Sequence, residues 1–235
     1  MTPPSGATGR APTREAQLRV IAIDGPAGAG KTTIARALAA RLGLEYLDTG
    51  AMYRAVTVAA MNRGIDVDDV ERVAALAREV TLEVGDHGVL VDGLDATVAI
   101  RRPDVTKAVS AVAANSGVRT ELRTRQRAWA EARGGGVIEG RDIGTVVFPD
   151  SVLKLYLTAT PRVRAERRVA EAGGDVDEIE AAITVRDHAD STRADSPLRE
   201  ADSAVVVDTT GLPIEELVVR IESLLAERES SAGAG

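Results

Sequence analysis

The sequence predicts an α/β fold, a parallel sheet with helices on both faces, broken by a β-containing insertion and by a short helical excursion. Three observations carry this expectation. Short β-branched apolar runs alternate with segments of helical period, the first run ends in a glycine-rich loop that opens a helix, and one middle stretch spaces its β-type runs too closely for crossover helices.

The first run, Leu18 to Ile23, stops at Asp24-Gly25-Pro26 and reads as a buried strand. Ile34, Leu38 and Leu42 then recur at helical spacing from Lys31 until Gly43 supplies the stop. Leu44 to Leu47 predicts a second strand, Ala51 to Arg63 a helix closed by Gly64, and Asp69 to Glu79 another helix. Val80 to Val84, Val89 to Asp92 and Ala96 to Ile100 predict a small antiparallel sheet. Helices resume at Asp104 to Asn115 and Gly117 to Arg133. Val137 to Glu139 reads as a strand, Gly140 to Gly144 as a turn, and Val152 to Leu157 as a further strand. Thr160-Pro161 has the cap and first-position pairing of a helix start, and Gly173-Gly174 separates that arginine-rich helix from a second reaching Asp190. Ala204 to Val207 is the last predicted strand, Pro213 opens a helix to Ala226, and Glu229 to Gly235 reads as a polar tail.

Composition removes several chemistries. The chain has no cysteine, which excludes disulfides, thiolate nucleophiles and cysteine-ligated metals. His87 and His188 are too far apart in sequence for a zinc-binding helix motif. A formal net charge of −7 argues against nucleic acid or an anionic membrane as a general partner. No apolar run approaches the ~20 residues that cross a bilayer. Met1 to Glu15 lacks the apolar segment of a secretory signal, so a cytoplasmic, monomeric protein is expected.

Gly25-Pro26-Ala27-Gly28-Ala29-Gly30-Lys31-Thr32 matches G-x-x-x-x-G-K-[ST] between a strand and a helix start. Unpaired backbone N–H groups and the helix dipole converge there on an anion. Lys31 would reach the β- and γ-phosphates of ATP, and the Thr32 hydroxyl would complete part of a Mg²⁺ shell. The loop alone leaves kinase, GTPase, ATPase and nucleotide-binding regulator open. No Asn-Lys-x-Asp guanine reader is present, and Asp208-Thr209-Thr210-Gly211, which mimics a switch motif, reads as a strand-end turn. A small-molecule kinase leads, with a broader pyrimidine or shikimate-type kinase and a non-catalytic nucleotide-binding module as the competing readings.

Two further loops follow predicted strands and face the same crevice, Asp48-Thr49-Gly50-Ala51-Met52-Tyr53-Arg54 and Gly140-Arg141-Asp142-Ile143-Gly144-Thr145. With these segments the sequence resembles the bacterial cytidylate kinases from about Leu18 to Leu225, and the stretch Val137 to Asp150 and the run Arg186 to Arg193 share in the likeness. The resemblance implies a P-loop kinase core (18–48, 134–160, 194–227), an NMP-binding region (49–133) whose sheet is the insertion, a lid with flanking helices (161–193), and flexible tails at 1–17 and 228–235. It implies transfer of the γ-phosphoryl of ATP to CMP or dCMP with Mg²⁺, in pyrimidine nucleotide metabolism.

Residue by residue, the resemblance implies that Gly25 to Thr33 bind ATP together with Arg164, and that Lys31, Arg141, Arg167 and Arg193 serve the transfer. Arg54, Arg141 and Arg193 would hold the CMP phosphate, Thr49 and Tyr53 line its pocket, and Arg186 with Asp190 meet the ribose. Asp142, Arg119 and Ser110 would read cytosine, whose N4 amino group donates while N3 and O2 accept. Uracil would turn a carbonyl toward the same carboxylate. Singly, these residues have ordinary readings, Asp142 as a helix cap, Arg119 as a solvated helix position and Tyr53 as packing. Arg162, Arg164, Arg167 and Arg168 could equally form a solvated face paired with Glu166 and Glu171. Lys31-Thr32-Thr33 departs from the Lys-Gly-Thr of many family members, and Glu139 adds a carboxylate whose role the sequence leaves open.

Overall fold

The computed structural model describes residues 18–85 and 87–233, so the predicted tail at 1–17 lies outside the described residues. The core is a five-stranded parallel sheet made of β1 (Arg19–Asp24), β2 (Tyr46–Asp48), β6 (Gly135–Gly140), β7 (Leu153–Thr158) and β8 (Val205–Asp208) in the spatial order β2-β6-β1-β7-β8. The strand carrying the phosphate loop is therefore central, and both edges are short, three residues in β2 and four in β8.

Alternation along β1 divides the interior in two. Ile21 and Ile23 pack with Ile34 and Leu38 of α1 (Lys31–Leu42) and with Leu217 and Ile221 of α8 (Ile214–Gly233). Val20 and Ala22 face the other way, toward Val56 and Ala59 of α2 (Thr49–Asn62), Leu76 of α3 (Val70–Glu79) and Leu122 of α5 (Ser116–Glu131). Burial on both faces is why β1 reads as an uninterrupted apolar run.

Several boundaries differ from the sequence expectation, each for a local reason. The second strand starts at Tyr46 instead of Leu44, because the Leu44 N–H is taken by the Ala39 carbonyl behind the left-handed Gly43 that ends α1. The insertion is an antiparallel sheet of β3 (Leu82–Gly85), β4 (Gly88–Val91) and β5 (Leu94–Asp95). The predicted strand Ala96 to Ile100 is not one. The Asp95 carboxylate accepts the Thr97 N–H at 2.8 Å, and the chain curls into a 3₁₀ turn at Ala99–Arg101.

After β6, the predicted turn widens into a π-helical turn, Ile143–Val147, in which Phe148 N–H donates to the Ile143 carbonyl at 2.7 Å. Thr160 caps α6 (Pro161–Ala172), followed by α7 (Val176–Thr192). The last helix continues to Gly233, past the predicted end at Ala226, and Glu229 near its end pairs with Arg19 at 2.7 Å. The connection from α4 (Pro103–Ala114) to α5 turns at Asn115, whose side chain accepts from the N–H groups of Gly117 and Val118 and donates to the Val70 carbonyl.

Candidate active site

The carboxyl ends of β1, β6 and β7 bring the predicted loops together, because Asp24 pairs in register with Gly140 on one side and Tyr156 on the other. The phosphate loop leaves β1 at Gly25, where φ is +147° and any Cβ would collide with the Leu157 carbonyl. Gly30 enters α1 in the left-handed region, so the first N–H groups of the helix point into the loop without a side-chain cap. Lys31 is buried and donates from Nζ to the Pro26 carbonyl at 2.8 Å, closing the loop on itself. Burial lowers its pKa, with the Arg141 charge acting in the same direction.

Thr32 Oγ1 donates to Glu139 Oε1 at 2.7 Å, and the Tyr46 hydroxyl binds the same oxygen. Burial raises the Glu139 pKa and Asp48 adds to that, against the pull of Lys31. Thr49 Oγ1 donates to the Glu139 carbonyl at 2.6 Å, which joins the start of α2 to β6. Thr33 lines the donor side of the cleft with Gly28, Gly30, Arg167 and Arg168, around a cavity of about 650 Å³.

The arginines of α6 separate into two groups. Arg162 is exposed and paired with Glu166, Asp177 and Glu180, and Arg168 lies 3.4 Å from Glu171, as the solvated-face reading expects. Arg164 and Arg167 turn toward the phosphate loop. Arg164, expected at ATP, is 3% exposed and braces the loop from beneath, donating to the carbonyls of Ala27 and Ala159 and pairing with Asp187 at 2.6 Å. Arg167 donates to the hydroxyl and carbonyl of Thr209 at 3.0 and 2.6 Å. The Thr209 hydroxyl also reaches the Ala29 carbonyl and its N–H donates to the Thr158 carbonyl, so this strand-end turn holds both the loop and an arginine of α6.

On the acceptor side, Asp142 and Arg119 form a buried pair with Nη2 donating to Oδ2 at 2.6 Å. The Arg119 guanidinium lies over the Tyr53 ring, 5.6 Å from its centroid, and burial pushes the Tyr53 pKa up to about 12. Arg193 is 3.7 Å from Asp142 and 3.8 Å from Asp190. Arg141 Nε donates to Asp190 at 3.0 Å, and Arg186 stands 3.9 Å from the same carboxylate. Burial raises the Asp190 pKa, but Arg141 and Arg186 outweigh it and the result is below the ordinary value. Arg54 donates to the Ile100 carbonyl and the Thr106 hydroxyl. Ser110 is half-buried on α4 and makes no hydrogen bond among the described residues.

This side of the cleft carries more positive charge than its carboxylates neutralise. Burial first, then Arg141, pushes the Arg186 pKa down to about 10, and the Arg54 pKa is lowered by burial, with Arg168, Arg141 and Arg101 adding to it. Arg119 Nε, Arg186 Nε and Arg193 Nη2 are buried without a hydrogen-bond partner. Each lies 3.6 to 3.9 Å from a carboxylate oxygen, an ion pair without a hydrogen bond. Arg101, which sequence reasoning did not single out, lies on the 3₁₀ turn of the insertion yet lines the donor cavity. No local pattern marks it.

A phosphate-cradling loop on the central strand of a parallel sheet, faced by a cationic pocket and an arginine-bearing helix, defines the class of the P-loop kinases. The family model for cytidylate kinase matches residues 21–227, and the chain belongs to that family. It is 50% identical over 216 residues to a cytidylate kinase of Desulfitobacterium hafniense (strain Y51), covering 88% of this chain and 93% of that one. It is 49% identical to a bifunctional pantoate ligase/cytidylate kinase of Synechococcus sp. (strain JA-3-3Ab), where it covers 98% of its own length and 44% of the relative. The chain thus spans less than half the length of such bifunctional relatives. A gluconokinase from Sinorhizobium meliloti 1021 shares the fold with a TM-score of 0.51 at 15% identity, covering 93% of this chain and 98% of that one. Likeness at that level bears on the fold alone.

Proposed function

We propose that this protein transfers the γ-phosphoryl group of ATP to CMP or dCMP, giving ADP and CDP or dCDP, as a Mg²⁺-dependent monomer in the cytoplasm. The observation that carries the reading is the buried Asp142–Arg119 pair opposite the phosphate loop. Asp142 would accept a hydrogen bond from the N4 amino group of cytosine, and Arg119, whose Nε makes no hydrogen bond, would donate to the ring acceptors. Arg141, Arg193 and Arg54 would draw in the acceptor phosphate. Arg186 and Asp190 would flank the ribose, and Ser110 would complete the base pocket. Residues 49–133 would form the acceptor-binding region and 161–193 the lid.

The acceptor phosphate oxygen attacks the γ-phosphorus and the β–γ bridging oxygen leaves with its electron pair. The nucleophile is already anionic, so no general base is required. Lys31 and Arg167 would neutralise the oxygens that gain charge in the transition state, while the lid excludes water. The donor set suits magnesium. Thr32 Oγ1 and Glu139 are hard oxygen donors beside the phosphate cradle, and no cluster of three or more acidic, histidine or cysteine side chains among the described residues could hold a metal alone. Magnesium bound there with the nucleotide would neutralise charge on the β- and γ-phosphates.

The test is ATP consumption with CMP, dCMP, UMP, AMP and GMP. CMP and dCMP should be turned over well ahead of the others. Equal turnover of UMP, or none of CMP, overturns the reading.

A further inference from the structure

Asp24 is the last residue of β1, and its side chain crosses to the neighbouring loop. Oδ1 accepts the Ile143 N–H at 2.8 Å and Oδ2 accepts the Gly144 N–H at 2.8 Å. The side chain belongs to a residue 3% exposed. Its two neighbours in sequence space are telling: Gly25 opens the phosphate loop, and the clamped amides directly follow Arg141 and Asp142.

We infer that Asp24 is a positioning residue for acceptor recognition, clamping the first amides of the Ile143–Val147 turn so that Asp142 and Arg141 are held at a fixed distance from the phosphate loop. The inference rests on the CMP-kinase reading above and goes beyond it by naming the residue that couples the donor loop to the base reader. Two adjacent N–H groups aimed at two oxygens suit a carboxylate, which only accepts. An amide in its place would turn an NH₂ toward one of them. Gly144 itself lies close to this side chain, a Cβ there reaching ordinary contact distance of Asp24 Oδ2 at 3.4 Å and a tighter 3.3 Å from the Lys154 side chain.

Chemistry around the carboxylate supports a functional reason for keeping it. Burial pushes its pKa up to about 6, the two N–H bonds and Lys31 pull it down, and Asp142 pushes it up. Tyr156 of β7 also senses its charge, and Lys154 lies across the Gly144 position. A folded pKa above the unfolded value means that this group's contribution to stability is full below the ordinary value of 3.8 and is lost as pH rises through about 6. At neutral pH the clamp is therefore ionised at some expense to folding, a pattern common where geometry serves a site.

The experiment compares the full chain with Asp24→Asn at pH 7.5. The KM for CMP should rise about tenfold, as for loss of a hydrogen bond to a charged group, while the KM for ATP stays within about twofold. Preference for CMP over UMP should fall, with a melting temperature no lower than that of the unmodified chain. The wild-type to variant ratio of kcat/KM for CMP should decline as pH drops through about 6, where the clamp protonates. A ratio is used because the CMP phosphate titrates in the same range. Asp24→Ala, which removes both acceptor oxygens without turning an NH₂ toward the two amides, should show the same selective loss and decides the matter if Asp24→Asn does not fold. Equal rises in both KM values, an unchanged CMP KM in both variants, or a flat pH ratio overturn the inference. If the unmodified chain phosphorylates CMP but the variants match it, only this inference falls; no CMP activity in the unmodified chain removes both.

Discussion

Asp142 and Lys31 belong to opposite halves of the cleft, and their substitutions should separate cleanly. On the proposed function, Asp142→Ala removes the carboxylate that would accept the cytosine amino group and leaves the loop that closes on Lys31 untouched. Its selectivity for CMP over UMP should collapse at nearly constant ATP affinity, as measured by steady-state kinetics on both acceptors. Arg119 would keep Asp195 at 3.6 Å as a partner, which limits the damage to folding. Lys31→Ala should depress kcat by about 10² or more with every acceptor, since it removes charge stabilisation common to all. Selectivity lost in neither variant would contradict the division of labour. At this scale the sequence was most readable where function is local in the chain. Gly25 to Thr32 announce themselves by spacing alone, whereas Asp24, Thr209 and Arg101 acquire their contacts only from strand register and from a turn that no short pattern encodes.

Elements were legible in kind and less so at their ends. The strand and helix periods around α1 match the structure, but side chains competing with the backbone moved boundaries, as Asp95 does at Thr97. The π-helical turn after β6 was read as a plain turn because its extra residue leaves no compositional trace. Asn115 shows how much one capping side chain can join, since it serves the start of α5 and the Val70 carbonyl at the start of α3 together. Asn115→Ala should destabilise the fold by about 1–2 kcal/mol, the upper range of a lost cap. Scanning calorimetry should register this as a fall of about 2–8 °C for a chain of this size. A melting temperature unchanged within error would mean that water replaces the amide without loss.

The whole molecule is arranged around one strand. β1 delivers the phosphate loop between β6, which carries Glu139 and leads to Arg141 and Asp142, and β7, which leads to α6. The alternation of strands and helices made that architecture readable, while the strand order itself is a long-range property. On the proposed function, nucleotides that bind only the folded chain should stabilise it by mass action. CMP at about 100 times its dissociation constant should add about 2.7 kcal/mol, or roughly 5–10 °C in melting temperature, with UMP giving markedly less at the same concentration. Equal shifts from the two nucleotides would point to phosphate capture without base reading.

The narrow margins of the sheet carry a separate consequence. A second molecule sliding alongside would meet only the three residues of β2 or the four of β8, too brief a rail of free amides and carbonyls for lateral annealing. Even in a concentrated solution, stacking into fibrils by strand addition has little to grip.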